Sequence, residues 1–171
     1  MSQQGKDADA IAWISKAIAA SKAAGAVNKT YVVRAAILSA KAKNYAAAAN
    51  FYKDLISAEN NPDYWHDALA FFDRSRDFNP EETLDIMRLM RATDGIRFQQ
   101  EYAAYLDSLS YIGVRYPAEA VSLLDEGFAK GLISRNNVTF SERYNEAKAR
   151  LAEDTRTLAG TIAPAKASPK G

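Results

Sequence analysis

His66 is the only histidine in the chain, and it stands in the run Trp65-His66-Asp67. A histidine beside an aspartate could serve as the relay half of a catalytic triad, but the relay needs a nucleophile held against it. The serines lie in unrelated places, and there is no cysteine. Without cysteine there are no thiolate ligands, and no second histidine completes a metal set with His66. Asp63 and Asp67 are four residues apart, as are Glu81 and Asp85. Two carboxylates on one helix face can divide acid and base duties. Here each pair follows a proline, Pro62 or Pro80, and early acids simply favour a helix N-terminus. Gly95, Gly113, Gly127 and Gly131 form no phosphate loop; Gly127 reads as a close-packing residue and the others as turn or helix-end residues. His66 is therefore expected on a helix surface, and these residues call for no metal and no cofactor.

The elements that carry these residues are helical. A chain of 171 residues, 48% of them hydrophobic, can bury one sizeable core. Ile11, Ile14 and Ile18 recur at three- and four-residue steps, as one face of a helix over 7–24 requires. Gly25 suits its end. Further helices are expected over 29–41, 45–58, 62–75, 80–93, 98–112, 117–129 and 141–158. Asn44 is the expected cap of the third. Asn79-Pro80-Glu81-Glu82 joins a cap residue, a first-turn proline and first-turn acids ahead of the fifth. Residues 1–6 read as a flexible N-terminus. The proline-bearing tail 159–171 reads as disordered or as a linker. No run is long enough for a membrane span, and the opening residues lack the apolar core of a signal peptide. Acidic residues prevail between positions 61 and 130 and basic ones on either side, but no stretch makes the basic stripe of a nucleic-acid binder.

A repeat is written through these helices. Small, large, small residues at i, i+4 and i+7 occur at Ala10, Ile14, Ala17; at Ala48, Tyr52, Leu55, with the last enlarged; and at Ala120, Leu124, Gly127. Thr83, Met87, Met90 form a degraded copy. The leading positions 10, 48, 83 and 120 are 38, 35 and 37 residues apart and fall on alternate helices. Alanine at the small positions lets helices approach closely, and a large residue one turn later fills the space where they diverge. Such faces are buried by stacking helix pairs; a plain alanine-rich bundle is the alternative.

The run Thr30-Tyr31-Val32-Val33-Arg34-Ala35-Ala36 continuing to Tyr45, Ala48 and Tyr52 resembles the tetratricopeptide repeat, with Ala35-Ala36 in the place of its Leu-Gly pair. Trp65, Ala68-Leu69 and Phe72 match a second unit, and Tyr102, Tyr105-Leu106 and Leu109 a third. The resemblance, strongest over 7–131, is to the degenerate repeat region of longer bacterial proteins. It implies an all-α fold over 7–158: a right-handed superhelical solenoid of antiparallel helix pairs. It also implies a non-enzymatic scaffold that binds a polypeptide segment on the concave face; a small-molecule-binding or catalytic helical domain is the alternative. The family's inner positions fall on Val33, Ile37 and Lys41, on His66, Ala70 and Asp73, and on Ala103, Asp107 and Ser110 with Tyr111 adjacent. Pooled, they suit a segment with an apolar anchor and modest positive charge. Lys41 alone makes no basic clamp for a chain terminus. The helix over 7–24 resembles the second of a pair, so it is either a cap or the edge of a fragment. An uncapped edge would favour weak self-association through it. A bacterial cytoplasmic location, or a periplasmic one after signal removal, fits equally.

Overall fold

Among the described residues, four consecutive helices begin on an asparagine. In the computed structural model, which describes residues 3–111 and 116–167 (side chains of 9–110 and 116–160), these are α2 (Lys29–Lys41), α3 (Tyr45–Ala58), α4 (Pro62–Asp73) and α5 (Pro80–Ala92). The side chains of Asn28, Asn44, Asn61 and Asn79 accept hydrogen bonds from the backbone N–H groups of Tyr31, Ala47, Asp63 and Glu82. Each cap satisfies a donor that the first helical turn leaves without a partner. At α5 the cap is reciprocal. Glu82 N donates to Asn79 Oδ1 at 2.8 Å, and Asn79 N donates to Glu82 Oε2 at 3.0 Å. Before these helices lies α1 (Gln3–Ala23), and after them α6 (Gln99–Tyr111), α7 (Pro117–Ala129) and α8 (Val138–Ala167). No described residue is in a strand. No helix is long and apolar enough to cross a membrane among the described residues.

The first and last helices are longer than expected. Helix α1 starts at Gln3 instead of position 7, and α8 starts at Val138 and continues to Ala167 instead of fading near Leu158. Alanine recurs through the latter stretch, and it is the residue that most favours helix. A third difference concerns Gly95. The left-handed residue after α5 is Asp94, at φ 56°. Gly95 is instead a close-packing residue, where a Cβ would lie 3.2 Å from the Met90 carbonyl oxygen and 3.3 Å from the His66 backbone nitrogen. Gly113 lies outside the described residues.

The chain forms two compact units, Met1–Ile96 and Arg97–Gly171. In the first, α1 packs on α2, α2 on α3, α3 on α4 and α4 on α5. Its main cluster is Ile18, Val32, Ala35, Ala36, Ala48, Tyr52 and Leu55. The three alanines are fully buried, so α2 and α3 meet at short range, and Tyr52 and Leu55 fill the space beyond them. Burying a side chain the size of Val32 or Leu55 stabilises the fold by roughly 1.5–3 kcal/mol. The ring of Tyr52 lies 6.3 Å from Tyr64 and 6.2 Å from Phe71, and its hydroxyl donates to Asp67 Oδ2 at 2.8 Å. On α5 the buried residues are Leu84, Ile86, Met87 and Met90, whereas Thr83, the small position of the degraded copy, is half-buried.

The second unit repeats this construction with larger side chains. Helix α6 packs on α7, and α7 on α8. Tyr102, Tyr105, Leu106 and Leu109 are buried, together with Ala120, Leu123 and Leu124. Gly127 is a point of close approach: a Cβ there would come within 2.7 Å of Tyr102 Cε1 and 2.8 Å of Ile133 Cδ1. Tyr105 donates to Glu119 Oε1 at 2.6 Å, joining α6 to α7 as Tyr52 and Asp67 join α3 to α4. The fold is all-helical, with sequentially adjacent helices packed in pairs, a helical-repeat arrangement in the general sense.

Candidate binding surface

Helix α2 has two unlike faces. Val32, Ala35, Ala36 and Ser39 are buried against its neighbours. One position further round, Val33, Arg34, Ile37, Leu38 and Lys41 line an open depression of about 550 Å³. Three of the residues expected from the sequence, Val33, Ile37 and Lys41, thus share one surface. Ile37, at its centre, is 47% exposed. Lys29 stands at the near end, hydrogen-bonded to Glu59 and 5.7 Å above the ring of Tyr64. The Glu59 carboxylate raises the Lys29 pKa, and Lys29 in turn lowers that of Glu59. Arg34 and Lys41 make no hydrogen bond or ion pair among the described residues.

His66, Ala70 and Asp73 follow one another at helical steps along α4, and all three are half-buried. His66 Nδ1 lies 3.1 Å from Asp67 Oδ1, while the other carboxylate oxygen of Asp67 accepts from Tyr52. The His66 hydrogen bond, with that of Tyr52, holds the Asp67 carboxyl below its usual range. Burial, with the Asp67 hydrogen bond, pushes the Tyr52 phenol well above its ordinary value. A protonated phenol and a carboxylate engaged at both oxygens make a tie between α3 and α4. Asp73 has no such support, and burial pushes its carboxyl upward. No group of ligating residues that could hold a metal ion occurs among the described residues.

The remaining expected positions lie in the second unit. Asp107 Oδ1 is paired with Arg143 of α8 at 2.6 Å. Ser110 donates to the Leu106 carbonyl at 2.8 Å. Tyr111 closes α6, and its side chain lies outside the described residues. Sequence reading placed Asp107 at an inner position and did not foresee Arg143, which is 36 positions further along the chain.

The sequence reading also missed a groove between α3 and α4, of about 500 Å³. Ala46, Ala49, Lys53 and Ile56 line one side, and Trp65, Ala68, Leu69 and Phe72 the other. Phe72, the aromatic matched to the second unit, is 44% exposed, and Phe71 is the residue that packs against the core. Leu69 and Phe72 also line a neighbouring depression that reaches Phe78 and Leu89. The signal was present as two stripes at three- and four-residue steps, one on the side of α3 away from Ala48, Tyr52 and Leu55 and the other on α4. The alanine tract therefore serves two surfaces: Ala48 closes the core, and Ala46 and Ala49 pave the groove. No family model matches the chain, and neither a curated protein nor a solved structure gives a significant match.

Proposed function

We propose that the chain is a non-enzymatic interaction scaffold of tetratricopeptide-like repeats, wound as a right-handed solenoid, and that it binds a polypeptide segment along the exposed face of α2. The supporting observation is Ile37, which stands 47% exposed at the centre of an apolar stripe while the opposite face of the same helix is buried. In repeat geometry His66, Ala70 and Asp73 of α4 fall beside that surface, outside the depression itself. Stacked helices commonly present such surfaces to partners. Affinity purification on the full chain, with mass-spectrometric identification, tests the proposal. Partners retained by the native chain should be lost on Ile37→Glu. Their retention by an Ile37→Glu protein of unchanged circular dichroism would remove α2 from the site.

The α3–α4 groove favours a second reading, a small apolar ligand, because about 500 Å³ beside Trp65 and Phe72 is within the range of ligand sites. A ligand screen by thermal shift, repeated on Trp65→Ala, tests it. Hits that stabilise both proteins equally would count against the groove.

A further inference from the structure

The residues pooled from the sequence suggested a basic partner, because Asp73 and Asp107 were counted among them. Asp107 is paired with Arg143 at 2.6 Å, Asp73 is half-buried on α4, and neither lines the α2 depression. Val33, Ile37 and Leu38 form its floor, Lys29, Arg34 and Lys41 are its charged lining residues, Thr30 adds a neutral hydroxyl, and no carboxylate is among the residues that line it. Of the cations, Lys29 is neutralised by Glu59. Arg34 and Lys41 have no ion-pair partner among the described residues and stand towards the two ends of the floor. They are seven residues apart on one helix, which places their backbones about 10 Å apart along its axis.

We infer that the α2 surface recognises an acidic polypeptide segment, one bearing an apolar anchor flanked by carboxylates. The inference rests on the scaffold reading above and adds the sign of the partner. A bulky apolar side chain would cover Val33, Ile37 and Leu38, where water now contacts hydrocarbon. Carboxylates on either side of it would meet Arg34 and Lys41. A helical partner supplies that spacing on one face with acids at i and i+7, about 10 Å apart along its axis. The Arg34 guanidinium can grip a carboxylate through two parallel hydrogen bonds. The complementarity should govern specificity and association rate and should weaken with salt. A nucleic acid would need a denser array of cations than two.

The experiment is selection of a random peptide library on the full chain, followed by titration of the selected peptides in low and high salt. The expected peptides are enriched in Asp and Glu around a large apolar residue. The same titration on Arg34→Glu/Lys41→Glu should weaken them at least tenfold, and Ile37→Glu should abolish binding. Circular dichroism checks each variant; if the double glutamate variant unfolds, Arg34→Gln/Lys41→Gln replaces it, with a smaller loss in the same direction. Neutral or basic peptides that are lost on Ile37→Glu would overturn the acidic partner and leave the scaffold reading intact. Selected peptides indifferent to all these substitutions, or none selected at all, would overturn both. Vesicles of mixed phosphatidylcholine and phosphatidylserine form the last arm. Vesicle binding that vanishes in the double variant, with no acidic peptide selected, would replace the peptide by a lipid surface.

Discussion

At the scale of single residues, the chain depends on small side chains at contact points. Ala48 is fully buried where α3 meets α2. Ala48→Leu should destabilise the protein by roughly 1–3 kcal/mol through overpacking. Urea unfolding would show it as a lower midpoint at constant slope, and an unchanged midpoint would contradict the close contact. Asp73 is a different case. Burial raises its carboxyl pKa in the folded state, so folding favours the protonated form. The stability that Asp73 contributes is therefore present below the ordinary carboxylate range and is lost as pH rises through the raised value. Its place at the last residue of α4 adds an unfavourable interaction with the helix dipole. Asp73→Asn should raise the urea midpoint at neutral pH, and the gain should shrink as pH falls below the ordinary aspartate value. A gain equal at both pH values would assign the effect to something other than ionisation.

At the scale of elements, helix starts were legible where they have side-chain chemistry. Asn44 and Asn79 are caps as read, and Pro62 and Pro80 stand in first turns. Asn28 caps α2 equally well, but it is followed by Lys29 and Thr30 instead of a proline or an acid, so nothing marked it. Val138 and Thr139 are β-branched, which hid the first turn of α8. The cap at α5 allows a direct test. Asn79→Ala removes the side-chain half of the reciprocal pair, the Oδ1 that accepts from Glu82 N, and should cost about 1 kcal/mol, measurable as a shift in thermal or urea midpoint; a neutral result would mean that α5 is held by packing alone. The candidate surface was less legible than the helices. Repeat spacing placed Val33, Ile37 and Lys41 on one face because they belong to one helix. It could not tell that Arg143 reaches Asp107, or that Phe71, and not Phe72, turns to the core. Such facts depend on which neighbour arrives from elsewhere in the chain.

At the scale of the whole molecule, two units carry separate cores, and each ends on a helix only partly packed. In α1, Ile18 is buried and Ile14 packs against the core, whereas Trp13 is 71% exposed with Lys16 lying 5.1 Å from its ring. The apolar excess expected along this helix is thus concentrated in one residue. Weak self-association through it should appear in light scattering across a hundredfold concentration range and disappear in Trp13→Arg. A monomer at every concentration would reject it. Helix α8 shows the same asymmetry at the other unit. Phe140 and Ala147 are buried, but every described side chain from Lys148 to Gly160 is exposed except Leu151, which is half-buried. Beyond Ala147 the helix is supported mainly by its own hydrogen bonds, and isolated helices of such length are marginal in water. Its backbone amides should therefore trade hydrogen for deuterium along a gradient: slow near Phe140, fast beyond Arg150, without any opening of the unit that anchors it. Amides of α3 around Tyr52 should exchange only when the whole core opens, so mass spectrometry of two peptides would record the slowest and the fastest clocks in the protein.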